Sequence, residues 1–432
     1  MLQHVRTFGF GLVSALALAT GASAATTVTL WSWTPVAPTM KEMIAQIEKA
    51  HPDIHVEATI QPHPAYSTAL KAAQASGTMP DLVGLPAGAE TQAYRADLQP
   101  LDDEASAAWG TDWQKNFAPA LLTQARLGNP KGDTHFYMLP QEAEVLNIWY
   151  DRAAFEKAGI TSPPATFDEL VDDSGKLTKA GYIGFYMGGG ATNFVNWVYM
   201  QIAAQTDLKD LLAAEEGAAV WDQPGMLQAA KIWEQLFTRH VFQPGALSAL
   251  QYPTGANLFA AGRVGMISLG SWWLQETHLS SDPRLTTMSG YGKFFFPPVK
   301  AGGAATPALG GIDFGWGMTK NAAKSPEVEA ATKVVLKELI SGVAEQVALD
   351  QLNDLPAFNG LKPTQQLNPH LQELYDSYIK ELATAEPHQI GNPVVFNTLA
   401  ANLQAVGAGT KTPEQAMAEV QKAAEAQASG SN

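Results

Sequence analysis

Two carboxylates, Glu142 and Glu144, follow Pro140 and precede an apolar run of Val145, Leu146, Ile148, Trp149 and Tyr150. A strand interior rarely carries two acids so close together unless one side of it faces water or a ligand. Asp313 lies in a second, glycine-rich strand pattern from Leu309 to Met318, which includes Gly311. Two carboxylates across a cleft can cleave a glycosidic bond, so a secreted carbohydrate hydrolase using Glu142 or Glu144 with Asp313 is one reading. The other is binding without chemistry. Gly270-Ser271-Trp272-Trp273 leaves a strand as a tryptophan pair, which is either a core plug or a stacking platform. A pyranose offers C–H faces to an indole and a rim of hydroxyls to carboxylates and amides. Glu144, Asn193, Asp313 and Trp272 meet that requirement, and nothing in the set suits an anion.

Other chemistries lack their residues. The chain has no cysteine, which removes disulfides, thiolate metal sites, cysteine nucleophiles and a lipid-modified N-terminal cysteine. Gly188-Gly189-Gly190 has neither the lysine of a phosphate loop nor the spacing of a dinucleotide fingerprint; three glycines instead let a backbone approach something closely. His51, His55 and His63 lack the spacing of a zinc site, so neither metal nor cofactor is expected. A net charge of −15 without a basic stripe argues against nucleic acid and against an anionic membrane surface.

The elements that must position these residues alternate between strand and helix. At 432 residues, two domains are expected. His4 and Arg6, an apolar stretch from Phe8 to Ala19, and Ala22-Ser23-Ala24 read as a secretory signal cut after residue 24. The apolar stretch is shorter than the ~20 residues of a membrane span. An exported, periplasmic protein without a lipid anchor is therefore expected. Thr26 to Trp33 is the first strand pattern, and Met40, Met43, Ile44 and Ile47 give the next helix one apolar stripe. His55 to Ile60, a helix from Ala65 to Ala75 that carries Tyr66, and Asp81 to Leu85 complete a βαβαβ unit. Such a unit predicts a mostly parallel sheet flanked by helices, with ligands beyond the carboxyl ends of its strands, where Trp33 stands.

Further along, Asp151 is placed to cap a helix from Arg152 to Ala158, with Gly159 as its left-handed stop. Thr166 with Glu169 and Thr412 with Gln415 are capping boxes, and Ser325-Pro326 opens another helix. Tyr182 to Met187 is a strand running into the triple glycine, with Asn193 and Trp197 on the helix that follows. Phe259 to Leu269 reads as helix end, turn and strand, Gly292 to Pro307 as loop, and the tail from Ala423 to Asn432 as a fraying end.

Taken in order, several stretches resemble one family: the extracellular solute-binding proteins of ABC transporters, of the maltose-binding and general sugar-binding type. They are His51-Pro52-Asp53-Ile54 with Val56, Ala75 to Leu82 (ASGTMPDL), Leu98 to Asp102 (LQPLD), Pro140 to Lys157, Pro163 to Leu170 (PPATFDEL), and Phe259 to Met266 followed by Gly270-Ser271-Trp272. The resemblance covers nearly the whole chain after the leader. It implies an α/β, two-lobed periplasmic binding protein fold with the ligand between the lobes, residues 25–143 plus 312–360 forming one and 144–311 plus 361–432 the other. It further implies that Glu144 contacts the ligand, that Trp272 stacks on it, and that Phe396 stands where a second stacking tryptophan is expected. Trp149, Asp151 and the Pro86-Ala87-Gly88-Ala89 loop depart from the maltodextrin-binding pattern. Together the two readings give Glu144, Trp272, Trp33, Asn193, Gly311, Asp313, Glu142, Phe396, Tyr66 and Gly189 as candidate ligand residues. The expected partners are a sugar or sugar alcohol and the membrane permease of an ABC importer, with the receptor itself monomeric and catalysing nothing.

Overall fold

The computed structural model describes residues 25–300 and 307–430. The leader read at residues 1–24 lies outside them. Nine strands make up the sheet: β1 (Thr26–Ser32), β2 (Ile54–Ile60), β3 (Leu82–Leu85), β4 (Leu139–Asp151), β5 (Ile183–Tyr186), β6 (Val264–Gly270), β7 (Tyr291–Phe294), β8 (Gly310–Met318) and β9 (Leu355–Pro356). Seven follow the order β2-β1-β3-β8-β4-β6-β5, while β7 and β9 pair with β4.

β4 joins the two halves. From Leu139 to Val145 it pairs with β8, and from Leu146 to Asp151 it pairs with β6 and β7. All of its residues are buried, which is why it reads as an apolar run rather than as an alternating strand. Helices Ala37–Ala50, Pro326–Ser341 and Val343–Leu352 pack on one another in the first half, with Pro326–Ser341 against β1 and Ala37–Ala50 against β2. In the second half Thr192–Glu215, Pro224–Thr238, Pro393–Gly407 and Pro413–Gly430 pack on one another.

The expected parallel sheet is found among the outer strands, where β1 pairs in parallel with β2 and β3, and β5 with β6. The crossing strands differ: β8 is antiparallel to both β3 and β4, and β4 is antiparallel to β6. One strand takes the chain out of the first half and the other brings it back, so they must run in opposite directions.

The caps are made as their sequences suggest. Asp151 Oδ1 accepts from the Ala154 N–H at 2.9 Å, and Gly159 has φ 73°. Thr166 Oγ1 accepts from the Glu169 N–H while Glu169 reaches back to the Ala165 N–H. Thr412 and Gln415 bond reciprocally. Two expectations are corrected. Tyr291–Phe294, inside the stretch read largely as loop, is strand β7; Gly292 is there because a Cβ would come 2.5 Å from the Tyr150 ring. The C-terminal tail does not fray at Ala423, since helix continues to Gly430. Ala416, Met417, Val420 and Ala424 form a buried stripe against the Pro393–Gly407 helix, and packing of that stripe overrides the polar composition. Among the described residues, no helix is long and apolar enough to cross a membrane.

Candidate ligand-binding site

Where β4 passes from one half to the other, Glu144 is 1% exposed and pairs in register with Gly311 of β8. Its Oε1 lies 2.6 Å from Nε2 of His388, which is fully buried, and its Oε2 has no hydrogen-bond partner among the described residues. His388 belongs to a segment that ties the halves together. Glu386 bridges to Leu309, the Ile390 carbonyl accepts from Ala89 N–H, and the Gly391 N–H donates to the Glu215 carbonyl.

An aromatic wall rises from this pair toward the surface. Trp197, on the first turns of the Thr192–Glu215 helix, has its ring centroid 5.7 Å from that of His388 and 5.8 Å from that of Trp272. Trp272 Nε1 donates to Tyr252 Oη at 2.8 Å, and Tyr252 is 40% exposed, so the wall runs from solvent to the buried carboxyl. Phe194 packs edge-on against Trp197 and also meets Tyr252. The Trp197 N–H is buried and has no partner among the described residues. A buried orphan donor or acceptor costs about 1–3 kcal/mol, so an unmatched donor on Trp197 and an unmatched acceptor on Glu144 mark a place that a polar molecule would satisfy.

The tryptophan pair divides between its two possible roles. Trp273 is buried against Phe259 and Tyr291 as a core plug, while Trp272 is half-buried on the wall. Its ring folds back over Gly270, where a Cβ would approach to 2.0 Å.

The local field is acidic. Burial pushes the Glu144 carboxyl well above the usual range and pulls the His388 imidazole down to about 4, although the Gly310 backbone biases the ring weakly the other way. Asp313, half-buried on β8, is raised by burial first and then by the carboxyls of Glu144 and Asp354. No basic side chain is among the charges that act on Glu142, Glu144 or Asp313.

The remaining candidates are engaged within the protein. Glu142 is fully buried, and its carboxyl is turned toward those of Asp354, Asp313 and Glu345. Gly311 takes the Gln124 amide, which donates to the Gly310 carbonyl and accepts from the Ile312 N–H; a Cβ would come within 1.9 Å of it. The close approach allowed by the triple glycine is to the protein's own chain, because Gly189 N–H donates to the Ala246 carbonyl and a Gly188 Cβ would meet Gln251. Trp33, Tyr66, His63 and Phe314 form a second aromatic group, in which the buried Tyr66 spends its hydroxyl on the Gly84 carbonyl. Asn193 is half-buried one residue before Phe194, and the Phe396 carbonyl accepts from Asn196 Nδ2. His388 and Tyr252 carry no sequence signal: each is a lone polar residue in an irregular segment. Trp197 was visible only as an aromatic on a helix near the triple glycine.

Comparison with known proteins agrees with this architecture. The model of the bacterial extracellular solute-binding protein family matches residues 31–338. The chain belongs to that family. Three curated relatives from Brucella abortus and Brucella suis, each described as a binding protein, are 33% identical over 135 residues, which is 31% of this chain and 32% of each relative. Among solved structures, a chitin oligosaccharide binding protein superposes with a TM-score of 0.75 at 23% identity, covering 93% of this chain and 98% of that one. Maltose-bound MalE3 of T. maritima gives 0.75 at 19% identity, covering 93% and 99%. AcbH, a bacterial solute receptor described as preferring β-D-galactopyranose, gives 0.74 at 20% identity, covering 94% and 98%. The fold is thus the two-lobed solute-binding fold. The family and these neighbours are binding proteins, not enzymes.

Proposed function

We propose that the protein is the periplasmic receptor of an ABC importer, capturing a neutral sugar or sugar alcohol between two lobes and presenting it to the membrane permease. The observation that carries this reading is the junction site. A buried carboxyl with a free oxygen, an orphan indole N–H and a tryptophan–tyrosine wall stand together where β4 crosses. Hydroxyls of a sugar both donate and accept, so they can satisfy both orphans while a C–H face packs on Trp272. The surrounding acids disfavour an anion. The lobes divide near the switch of β4 pairing between Val145 and Leu146, with β8 as a second crossing and the chain after β9, near residue 360, as the third. A ligand touching both lobes shifts the population toward the closed form, which the permease reads; the receptor works as a monomer, released by cleavage after residue 24.

The test is a thermal-shift panel of D-galactose, D-tagatose, maltose, chitobiose, stachyose and D-mannitol. A true ligand at one hundred times its dissociation constant adds about 2.7 kcal/mol of stability. It must be recovered chemically unchanged after incubation. Stabilisation by none of the six would refute the reading, and turnover would replace it with a hydrolase.

A further inference from the structure

Glu144 does not stand alone, and its partner determines which of its atoms is free. We infer that His388 is a positioning residue of this site: by engaging Oε1 of Glu144 across the junction, it leaves Oε2 as an uncharged acceptor for one hydroxyl of the ligand. The inference rests on the receptor reading and deepens it by specifying the form in which the key carboxyl meets its ligand.

The contact, at 2.6 Å, is short and fully enclosed, so one proton lies between the two groups. Burial favours the neutral form of each partner, which puts that proton on Glu144, donating to Nε2. The Gln389 amide nitrogen, 3.3 Å from the same Nε2, is also placed as a donor to an unprotonated ring nitrogen. Oε2 is then a carbonyl-type oxygen, and the nearby Trp197 N–H is a donor. Such an acceptor and donor suit neighbouring hydroxyls of a neutral ligand. An ionised pair, by contrast, would leave a charged carboxylate facing the same ligand.

The titratable groups around the pair are Asp313 on β8, Glu142 on β4, Asp354 ahead of β9, and Glu276 and Tyr252 at the mouth. On the segment bearing His388, Gln389 is uncharged, and the helix opposite contributes Trp197 and Asn196. All the charged members are acids, and neutralising the pair avoids adding another negative charge to them. Accepting a second proton would turn the pair cationic and cost His388 its acceptor, so binding should weaken at low pH through the imidazole.

Two measurements test this on the full chain. In the ligand-free protein, nitrogen NMR of the imidazole should show His388 neutral with Nε2 unprotonated, without titration between about pH 5 and 8. A protonated Nε2, or titration near the ordinary histidine value, overturns the assignment. Calorimetry then follows the affinity of the panel sugar giving the largest thermal shift from pH 4 to 8. His388→Leu should weaken it about tenfold or more at pH 7 by leaving Glu144 without its partner, whereas His388→Gln, which keeps an acceptor, should stay within about threefold and lose the acid fall-off. Should the leucine variant not fold, the acid limb of His388→Gln decides. Sugars that bind all three forms with one affinity and one pH profile remove the positioning role and leave the receptor standing. If none of the six binds the unaltered protein, both fall together.

Discussion

Glu142 and Glu144 lie two residues apart on one strand, yet they belong to different regions with different consequences. In a regular strand, residues i and i+2 point to the same face. β4 is not regular here: its pairing with β8 shifts between Pro140 and Glu142 and again between Glu142 and Ala143. Bulges of this kind re-aim side chains. Glu144 meets an imidazole and an aromatic wall that opens to solvent. Glu142 meets Asp354 and Glu345 beside β9, and the Asp313 carboxyl, which also acts on Glu144's side, raises it further. There Gln141 donates to Glu345, Gln275 donates to Asp354, and the Trp316 N–H donates to Gln141. The first group is the one proposed to meet a ligand. The second holds three carboxyls that burial and mutual repulsion force toward the protonated form, and it touches both halves of the molecule. We read the first as the proposed recognition site and the second as a joint.

Mutation and pH should separate the two groups. The largest effect is expected at Trp272: Trp272→Ala should lower sugar affinity by about 2–4 kcal/mol in calorimetry while leaving the melting temperature close to that of the unaltered protein. Glu144→Leu should cost about 1–3 kcal/mol of affinity, because it removes both the free acceptor and the donor to His388, whereas Glu142→Leu should leave affinity unchanged within error. Equal losses at both positions would erase the distinction between the regions. The joint should instead show in stability. Asp354 has its carboxyl pushed up to about 7 by burial, against the ordinary value near 4 in an unfolded chain. The folded protein therefore holds a proton that the unfolded chain releases. Stability falls as pH rises from about 4 to about 7 and levels off above, with an upper bound of about 4 kcal/mol from this group. Asp354→Asn can still accept from Gln275 and should flatten that window, adding about 1–3 kcal/mol in urea unfolding at pH 8 with little change at pH 4. The smallest effect belongs to the mouth: Tyr252→Phe removes the acceptor of the Trp272 N–H and should weaken binding by about 0.5–1.5 kcal/mol.

Much of the fold was legible because its signals are local. The capping oxygens of Asp151, Thr166 and Ser325, the apolar stripe of Met40, Met43 and Ile47, and the βαβαβ order each depend on residues within a few positions. The strand read from Tyr182 to Met187 appears within one residue of its expected ends, and the stretch read from Phe259 to Leu269 as helix end, turn and strand supplies β6. The errors arise where distant packing overrules composition. β7 exists because the second half of β4 needs an edge partner, and the C-terminal helix persists because its stripe is covered by another helix nearly in contact along its length.

Of the site, the sequence by itself determined the chemistry available: an acid-rich, cysteine-free chain with tryptophans leaving strands, and Glu144 and Trp272 at positions that resemble those of sugar receptors. It also limited what could bind, since no clustered bases exist to hold an anion. The resemblance singled out Glu144 over Glu142, and the tertiary structure supplies the physical reason, a register shift and bulge that set the two acids apart. Only the tertiary structure brought His388 to Glu144 across 244 positions and Tyr252 to Trp272 across 20. A lone histidine in a loop has no periodicity or spacing to betray it. Its meaning comes from the partner that long-range folding supplies.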